Sequence, residues 1–255
     1  MARTSSPGGL SGAVALVTGG AQGIGRGVAE AFRDAGATVV VADLDAERAA
    51  EVVAGPGRMS ALRLDVRDPA SVEEAFRRAA ERHGRLDILV NCAGRYPNTP
   101  LLDMPLAEWD EVYAVNVRGV MLTSQAFARL PGRDGRRIIT VSSAAARSAR
   151  VGASHYCSSK AAVEMLTKVL ALELAPLGVT VNAVAPGLIE VPATAGLAPE
   201  YVATLVAGQP VHRMGTPAEI ARACLFLAHP DASFVTGSVL DVDGGFLAGT
   251  ALPPS

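Results

Sequence analysis

Cysteine and histidine are scarce in this sequence, and neither is arranged as a set of ligands. The three cysteines, Cys92, Cys157 and Cys224, lie far apart with no Cys-x-x-Cys pair, and the four histidines have no spacing typical of a metal site. An odd, sparse set of cysteines indicates reduced thiols. We therefore expect no disulfides, no metal and a cytoplasmic location.

Long hydrophobic runs and a large net charge are also lacking. No apolar run reaches the roughly 18 residues that a membrane-spanning helix needs, and the formal net charge is only −2. Neither nucleic acid nor an anionic membrane is therefore expected as a partner. With 49% hydrophobic and 19% charged residues in 255, the composition is that of a soluble globular protein with a substantial core.

Apolar segments of strand length alternate along the chain with segments of helical pattern. The predicted strands are residues 13–17, 38–42, 59–64, 88–90, 137–141, 179–184 and 239–242. The predicted helices are residues 24–35, 45–53, 69–83, 106–130 with a break near Asn116, and 156–174. This alternation predicts an α/β fold, a doubly wound parallel sheet with helices on both faces.

Two segments depart from this alternation. Residues 1–9 are small and polar and do not resemble a signal peptide, so we expect a disordered tail before a single domain over residues 10–255. Residues 187–210 are irregular, with three prolines and a short helical stretch at 200–206. We interpret this segment as a lid over a substrate cleft, and a simple surface excursion is the alternative.

A glycine-rich turn joins the first predicted strand to the first predicted helix. Gly19, Gly23 and Gly25 have a Gly-x-x-x-Gly-x-Gly spacing, in which the backbone can turn sharply and approach a pyrophosphate. The helix N-terminus then offers free N–H groups and a positive dipole to that anion. Such a turn can also be only a turn, but its position after the first strand favours a dinucleotide site.

Asp43 follows the second strand, about 20 residues after Gly23. A carboxylate there can accept hydrogen bonds from the adenosine ribose hydroxyls, and it would repel a 2′-phosphate. Neither Gln22 nor Leu44 is cationic, so no phosphate clamp is evident. We therefore predict NAD in preference to NADP, and the alternative role of Asp43 is to cap a helix.

Tyr156 and Lys160 are four residues apart at the start of a predicted helix, so they lie on one face. A phenol with its ordinary pKa of about 10 needs a neighbouring cation to exchange a proton near neutral pH, and a lysine one turn away can supply it. Ser143 follows a buried strand and brings a hydroxyl to the strand's carboxyl end. These three groups predict an alcohol or carbonyl site.

Taken together, these residues resemble the short-chain dehydrogenase/reductase family, in its single-domain branch of about this length. The resemblance covers nearly the whole chain, from Val14 to Gly245. It rests on motifs in a fixed order: the turn at 18–25, Asn91-Cys92-Ala93-Gly94 with cysteine in place of a second asparagine, Pro186-Gly187, Arg213-x-Gly215-x-Pro217 and Asp243-Gly244-Gly245.

The resemblance implies a Rossmann-like fold and hydride transfer between NAD(H) and a secondary alcohol or ketone.

It implies a catalytic set of Asn116, Ser143, Tyr156 and Lys160. It implies cofactor contacts from Gly19, Gln22, Gly23, Ile24, Asp43, Leu44, Asp65, Val66, Asn91, Ala93, Gly94, Tyr156, Lys160, Pro186, Gly187 and Ile189.

Each catalytic residue has an expected role. Tyr156 acts as general acid and base, Lys160 favours its phenolate and holds the nicotinamide ribose, and Ser143 binds the substrate oxygen. Asn116 holds a water that connects Lys160 to solvent. Ser142 is the rival serine, but strand alternation points it to the opposite face, and His155 and Cys157 are expected to pack or to lie at the surface.

The family pattern also differs from this chain near the nicotinamide. The family often has a threonine five residues after Pro186, where this chain has Val191, and Thr194 is the available substitute. The expected substrate pocket is lined by Arg95, Tyr96, Arg150, residues 144–146 and the loop from Leu188. The two arginines can pair with a carboxylate or phosphate of a substrate, or can be ordinary surface residues.

Two other functions remain open at this point: an NADPH-dependent 3-oxoacyl thioester reductase, and a catalytically silent NAD-sensing regulator.

The segments 106–130 and 156–174 carry apolar residues on more than one face: Val117, Val120, Met121, Val163, Met165, Leu166, Val169 and Leu170. Such helices usually pack against a second partner. Since the family pairs these helices and its C-terminal segment, here from Gly237, between subunits, we expect a homotetramer rather than a monomer.

Overall fold

The computed structural model describes residues 9–55, 57–132 and 134–249. These residues contain one parallel sheet with seven strands: β1 Val14–Thr18, β2 Thr38–Asp43, β3 Met59–Arg63, β4 Ile88–Asn91, β5 Arg136–Val141, β6 Val179–Pro186 and β7 Val239–Val242. Each of them was predicted from the sequence, with small shifts at the ends.

The same described residues form eight α-helices. They are α1 Gly23–Asp34, α2 Ala46–Val53, α3 Pro69–His83, α4 Leu106–Tyr113, α5 Gly119–Arg129, α6 Ser154–Leu174, α7 Pro199–Ala207 and α8 Pro217–Ala228. The predicted break near Asn116 is a π-helical turn, Ala114–Arg118, between α4 and α5. Only α8 is missing from the sequence-based prediction.

The strands lie in the order β3-β2-β1-β4-β5-β6-β7. Every neighbouring pair is parallel, which confirms the doubly wound, Rossmann-like sheet. The direction of winding reverses between β1 and β4. Ligands of such sheets bind beyond the carboxyl ends of the strands at this point, so the residues that follow β1, β2, β4 and β5 are the first candidates for a site.

Helices cover both faces of the sheet and form two apolar clusters with it. One cluster contains Phe32 of α1 and Ile220 of α8, and the other contains Phe76 of α3 and Phe127 of α5. Strands covered on both faces need no polar residues at alternate positions. All five residues of β1 are accordingly buried.

Local sequence signals account for the ends of several helices. The Asp68 side chain accepts hydrogen bonds from two N–H groups in the first turn of α3, Pro69 begins this helix, and Gly84 ends it with a left-handed φ of 70°. Helix α8 begins with a capping box, in which Thr216 and Glu219 each bond the other's backbone N–H. That Thr-x-x-Glu pattern before an apolar run is a sequence signal from which α8 could have been predicted.

The irregular segment 187–210 contains a 3-10 turn, Pro192–Thr194, and the short helix α7, of which no residue is buried. Ile189 pairs with Gly215 in an isolated parallel bridge, which ties the base of the segment to the loop before α8. Of the expected N-terminal tail, residues 1–8 lie outside the described residues. Within the described ranges, no helix has both the length and the apolar character to cross a membrane.

Candidate active site

Tyr156 and Lys160 lie one turn apart near the start of α6. The Lys160 Nζ is 5.9 Å from the centroid of the Tyr156 ring and donates a hydrogen bond to the Val141 carbonyl at 2.7 Å. Burial lowers the pKa of Lys160 to about 8, because an ammonium loses hydration there. The last residue of β5 thus anchors the ammonium beside the phenol.

Ser142 and Ser143 follow β5 and make different contacts. The Ser143 side chain lies close enough to the Tyr156 phenol to lower its pKa, and its Oγ accepts from the Ala145 N–H at 3.1 Å. The Ser142 hydroxyl instead donates to Glu164 Oε1 at 3.2 Å. Ser143 is therefore the serine beside the phenol.

Burial has the largest influence on the Tyr156 phenol. It raises the pKa of Tyr156 above its ordinary value, while the hydrogen bond with Ser143 and the positive charge of Arg150 lower it. The Arg150 Cζ is 5.4 Å from the ring centroid. Lys160 is not among the groups that shift this pKa, so the expected lowering by Lys160 is not seen in this structure.

Asn116 lies in the π-helical turn and is fully buried. Its Oδ1 accepts from the Arg95 N–H at 2.8 Å, and its Nδ2 donates to the Arg95 carbonyl at 2.9 Å and to Ser159 Oγ at 3.0 Å. The side chain therefore joins the segment after β4 to α6. Its expected role as a water ligand remains a prediction.

His155 has a positioning contact that no sequence signal revealed. The Tyr156 N–H donates to His155 Nδ1 at 2.9 Å, and His155 Nε2 lies 3.2 Å from Glu108 Oε1 on α4. A backbone N–H only donates, so Nδ1 accepts and Nε2 donates to the carboxylate. His155 is fully buried, as the packing interpretation predicts, and in addition it fixes the backbone of Tyr156.

The glycine turn after β1 is packed so closely that side chains do not fit. A Cβ on Gly25 would lie 2.1 Å from the Gly19 carbonyl oxygen, and one on Gly19 would lie 2.7 Å from Ala93 Cα. Gly19 and Gly23 have φ of 63° and 53°, which L side chains rarely adopt. The backbone at the start of α1 is thus open to a pyrophosphate, and these residues fit a dinucleotide.

Asp43 ends β2 beside this turn, with its Oδ2 accepting from the Ala21 N–H at 3.0 Å. The N-cap of α2 is not Asp43 but Asp45, whose side chain accepts from the Arg48 N–H. The helix-cap alternative for Asp43 is therefore wrong. Its carboxylate is fixed next to the glycine turn, where a ribose contact remains the prediction.

Arg48 brings a positive charge to the same place. Its Nη1 donates to Gln22 Oε1 at 2.8 Å, and both residues line an open cavity of about 330 Å³ together with Gly23 and Pro192. Neither Gln22 nor Leu44 is cationic, so the sequence predicts no phosphate clamp here. The structure shows that Arg48, from the next helix, reaches this position.

The remaining cofactor candidates lie at the carboxyl edge of the sheet. Ile24 begins α1 after Gly23, and Leu44 is half-exposed beside Asp43. The Asp65 carboxylate is bound by Arg67 at 2.8 and 2.9 Å, and the hydrogen bond with Arg67 lowers the pKa of Asp65. The buried residues of this group are Val66, Asn91, Pro186 and Ile189. Ala93 and Gly94 lie in the loop after β4, and Gly187 follows β6.

Thr194 is engaged within its own loop. Its hydroxyl lies 2.9 Å from the carbonyl oxygens of Ile189 and Val191 and accepts from the Val191 N–H at 3.0 Å. This arrangement closes the 3-10 turn after β6. Thr194 therefore does not take the place of the missing hydroxyl at Val191.

The expected substrate pocket contains one paired and one unpaired arginine. The Arg95 Nη2 lies 3.3 Å from Glu111 Oε2, so Arg95 already has an anionic partner. Tyr96 packs its ring edge-on against Tyr156, with centroids 6.3 Å apart. Arg150 lies over the face of Tyr156, and together Tyr96 and Arg150 surround the phenol.

Comparisons with known proteins extend over nearly the whole chain. A family model described as "Enoyl-(Acyl carrier protein) reductase" matches residues 19–247. The 3-oxoacyl-(acyl-carrier-protein) reductase FabG of Thermotoga maritima is 37% identical over 244 residues, 93% of this chain and 99% of the relative. The cis-4-hydroxycyclohexanecarboxylate dehydrogenase of Sinomonas cyclohexanicum is 39% identical over 240 residues, 92% of this chain and 96% of the relative.

Solved structures are similar in both fold and sequence. A short-chain type dehydrogenase/reductase from Mycobacterium marinum has a TM-score of 0.88 and 38% identity, covering 95% of this chain and 98% of its own. A 7α-hydroxysteroid dehydrogenase complexed with NADH and 7-oxo glycochenodeoxycholic acid has a TM-score of 0.89 and 34% identity, covering 96% and 98%. The likeness therefore includes the site region and is not limited to the general fold.

Proposed function

The chain belongs to the short-chain dehydrogenase/reductase family of oxidoreductases, and from this premise we propose that it transfers a hydride between NAD(H) and a secondary alcohol or ketone. The observation that carries the proposal is the Tyr156 phenol, which lies beside the Ser143 hydroxyl and one turn from the buried Lys160. A phenol held between a hydroxyl and an ammonium can exchange a proton with an alcohol oxygen.

The nicotinamide, when bound, supplies the acceptor or donor of the hydride. In the oxidative direction Tyr156 takes the proton from the substrate hydroxyl, and in the reductive direction it returns that proton to the carbonyl oxygen. The Ser143 hydroxyl donates a hydrogen bond to the same oxygen, where negative charge develops. Lys160 favours the phenolate through its charge, and the Val141 carbonyl keeps this ammonium in place.

NAD is the cofactor that we propose, and NADP is the less favoured alternative. The support is the Asp43 carboxylate, which the Ala21 N–H holds beside the glycine turn at 3.0 Å. A carboxylate there accepts hydrogen bonds from ribose hydroxyls and repels a 2′-phosphate. The proposed preference for NAD over NADP therefore follows from the negative charge of Asp43.

An NADPH-dependent 3-oxoacyl thioester reductase is the second candidate. Two observations favour it: the Arg48 guanidinium beside Gln22, which can attract a phosphate, and the name of the Thermotoga maritima relative. Comparison of NADH and NADPH affinities separates the two candidates, because a strong preference for NADPH contradicts the role that we give Asp43.

The test of the proposed function is turnover by the cofactor-saturated chain. We expect NADH fluorescence to change with some member of a broad panel of secondary alcohols and ketones. Tyr156→Phe, which keeps the ring, should abolish turnover and retain NADH binding. A folded, NADH-binding wild type that turns over no member of the panel contradicts the proposal, and a biological activity that survives Tyr156→Phe favours the silent regulator.

We also propose that residues 187–210 act as a lid on a single domain formed by residues 10–255. The support is the approach of Val191 to the glycine turn, where its Cγ1 lies 3.3 Å from the position of a Cβ on Gly23. Because α7 has no buried residue, little apolar contact is lost if the segment opens. We also propose a homotetramer, which two exposed apolar surfaces support: Met121, Met165, Val169 and Leu172 on α5 and α6, and Phe226 and Phe234 at and after α8.

A further inference from the structure

Arg150 is exposed at the mouth of the proposed active site, directly over the catalytic phenol. Its Cζ lies 5.4 Å from the centroid of the Tyr156 ring, and its charge is felt there, since it opposes the rise that burial causes in the pKa of Tyr156. A group bound to this guanidinium would therefore lie next to the oxygen on which the reaction takes place.

The other arginines near the site already have anionic partners. Arg95 pairs with Glu111 at 3.3 Å, Arg67 with Asp65 at 2.8 Å, and Arg147 with Glu164 at 3.2 Å. Among the described residues, no carboxylate lies within salt-bridge distance of Arg150, and its guanidinium makes no hydrogen bond. Arg150 is thus the cation at this mouth with free bonding capacity.

The backbone around Arg150 is held by contacts with the segment at Asn98 and Thr99. The Thr99 N–H donates to the Gly152 carbonyl at 2.7 Å, and the Ala153 N–H donates to the Arg150 carbonyl at 3.3 Å. Gly152 has φ of 77°, and a Cβ there would lie 2.7 Å from the Asn98 side chain. Because these contacts fix the loop, a ligand on Arg150 need not order the backbone first.

We propose that Arg150 binds a carboxylate of the substrate, so that the preferred substrates are compact secondary hydroxy acids and the corresponding oxo acids. This inference rests on the proposed function, since it concerns the substrate of the same site. The planar guanidinium matches a carboxylate with two parallel hydrogen bonds. One unpaired monovalent cation balances one carboxylate, whereas a phosphate dianion requires a second positive charge.

The position of Arg150 also limits where the carboxylate can be. The carbinol oxygen must reach Tyr156 and Ser143 while the carboxylate reaches a guanidinium above the same ring. Tyr96, edge-on to Tyr156, closes one side of this space. The substrate therefore carries its acid group within a few bonds of the reacting carbon.

Binding without turnover provides the first test. Calorimetry of the NADH-saturated chain with cyclohexanecarboxylate and with cyclohexanecarboxamide compares an anion with a neutral analogue of the same shape. We expect the acid to bind at least about tenfold more tightly, the effect of one charge-assisted contact. Arg150→Gln should remove this difference, and Arg147→Gln, which loses an arginine that already pairs with Glu164, should retain it.

Turnover provides the second test and separates the two proposals. With 4-hydroxycyclohexanecarboxylate and its carboxamide as substrates, Arg150→Gln should raise KM for the acid about 10- to 100-fold and bring the two values of kcat/KM close together. Equal binding of acid and amide by the wild type overturns the role of Arg150, even if neutral alcohols are oxidised. Acid binding that depends on Arg150, without turnover of any alcohol, supports this site and contradicts the proposed function instead.

Discussion

Lys160 illustrates at the residue scale how a functional group reduces the stability of the fold around it. Burial lowers its pKa from 10.5 to about 8, and each pKa unit corresponds to 1.36 kcal/mol. The unfolded chain therefore binds a proton more tightly than the folded chain by about 3 kcal/mol. The folded ammonium loses its proton near pH 8 and the unfolded one near pH 10.5. The buried ammonium therefore lowers the free energy of unfolding by the full amount below pH 8, and this destabilisation disappears as the pH rises to 10.5.

We predict that Lys160→Met abolishes activity but stabilises the chain at pH 7. About 1 kcal/mol is lost with the hydrogen bond to the Val141 carbonyl, which leaves a gain of about 2 kcal/mol in the free energy of unfolding. Urea denaturation at fixed protein concentration should show this gain at pH 7 and much less at pH 10. Lys168→Met, which changes an exposed lysine of the same helix, is the control, and a gain from Lys160→Met that does not vary with pH contradicts the argument.

We propose that two opposite charges beside the glycine turn, Asp43 and Arg48, set the cofactor preference. We predict that Asp43→Ala weakens NAD binding by one or more orders of magnitude, because each charge-assisted hydrogen bond to a ribose hydroxyl contributes roughly 1.5–3 kcal/mol. NADP should lose less affinity or gain some. Arg48→Ala added to Asp43→Ala should remove that gain, as measured by dissociation constants for both cofactors.

Asp45→Ala is the matched control for the Asp43 experiment. This carboxylate is two residues away but caps α2, so its loss should cost about 1 kcal/mol of stability and affect both cofactors alike. If Asp43→Ala leaves the ratio of the NAD and NADP dissociation constants unchanged, Asp43 does not recognise the ribose.

Contacts fixed by helix or strand periodicity were predictable, and contacts that depend on the packing of loops and separate elements were not. The four-residue spacing of Tyr156 and Lys160 fixes their common face once a helix is predicted. Strand alternation likewise separates Ser143 from Ser142. The positions of Arg48 beside Gln22 and of Arg150 over Tyr156 depend on how helices and loops pack, and the residues alone carry no periodic signal for them.

At the scale of elements, the first turn of α6 has an unusual cap. Ala153, the N-cap residue, makes no side-chain hydrogen bond, and N–H groups in a first helical turn have no partner within the helix. His155 satisfies the N–H of Tyr156 and is itself oriented by Glu108. The start of this helix, and with it the phenol, is therefore held by α4.

We predict that His155→Phe lowers kcat about 5- to 10-fold, the effect of about 1 kcal/mol on the position of Tyr156, with little change in the NAD dissociation constant. His155→Asn should recover part of kcat, because its Oδ1 lies the same number of bonds from Cβ as Nδ1 and can accept from the same N–H. Steady-state kinetics of the folded variants measures this. A lower melting temperature with an unchanged kcat indicates a purely structural role.

Helix α8 shows that the alternation of strands and helices is not sufficient to predict every element. The strand–helix alternation identifies the other elements, but the segment before β7 follows the irregular stretch 187–210, where no strand intervenes between α7 and α8. Helix propensity and hydrophobic periodicity are weak in this segment. The capping box of Thr216 and Glu219 is a local sequence signal that still indicates the start of a helix. An apolar segment after such a box predicts a helix that packs on the sheet, as α8 does with α1.

At the scale of the whole molecule, two separate surfaces remain apolar after the core has formed. On one side Met121, Met165, Val169 and Leu172 are exposed along α5 and α6, and on the other Phe226 and Phe234 are exposed at and after α8. Val120 and Val163, which were included in the expected interface, are instead buried within the chain. Exposed apolar patches of this kind are typical of interfaces, and two of them allow each chain to bind two partners.

We predict a homotetramer in which each apolar surface forms one interface. Light scattering at micromolar concentration should give four times the chain mass of 26.1 kDa, and a wild-type mass near 26.1 kDa contradicts the prediction. Met165→Lys should disrupt the α5 and α6 interface and Phe234→Lys the other, since each buries an unpaired charge in a contact. Each variant should then be a dimer and the double variant a monomer, while Val151→Lys, an exposed apolar residue on neither surface, should remain a tetramer.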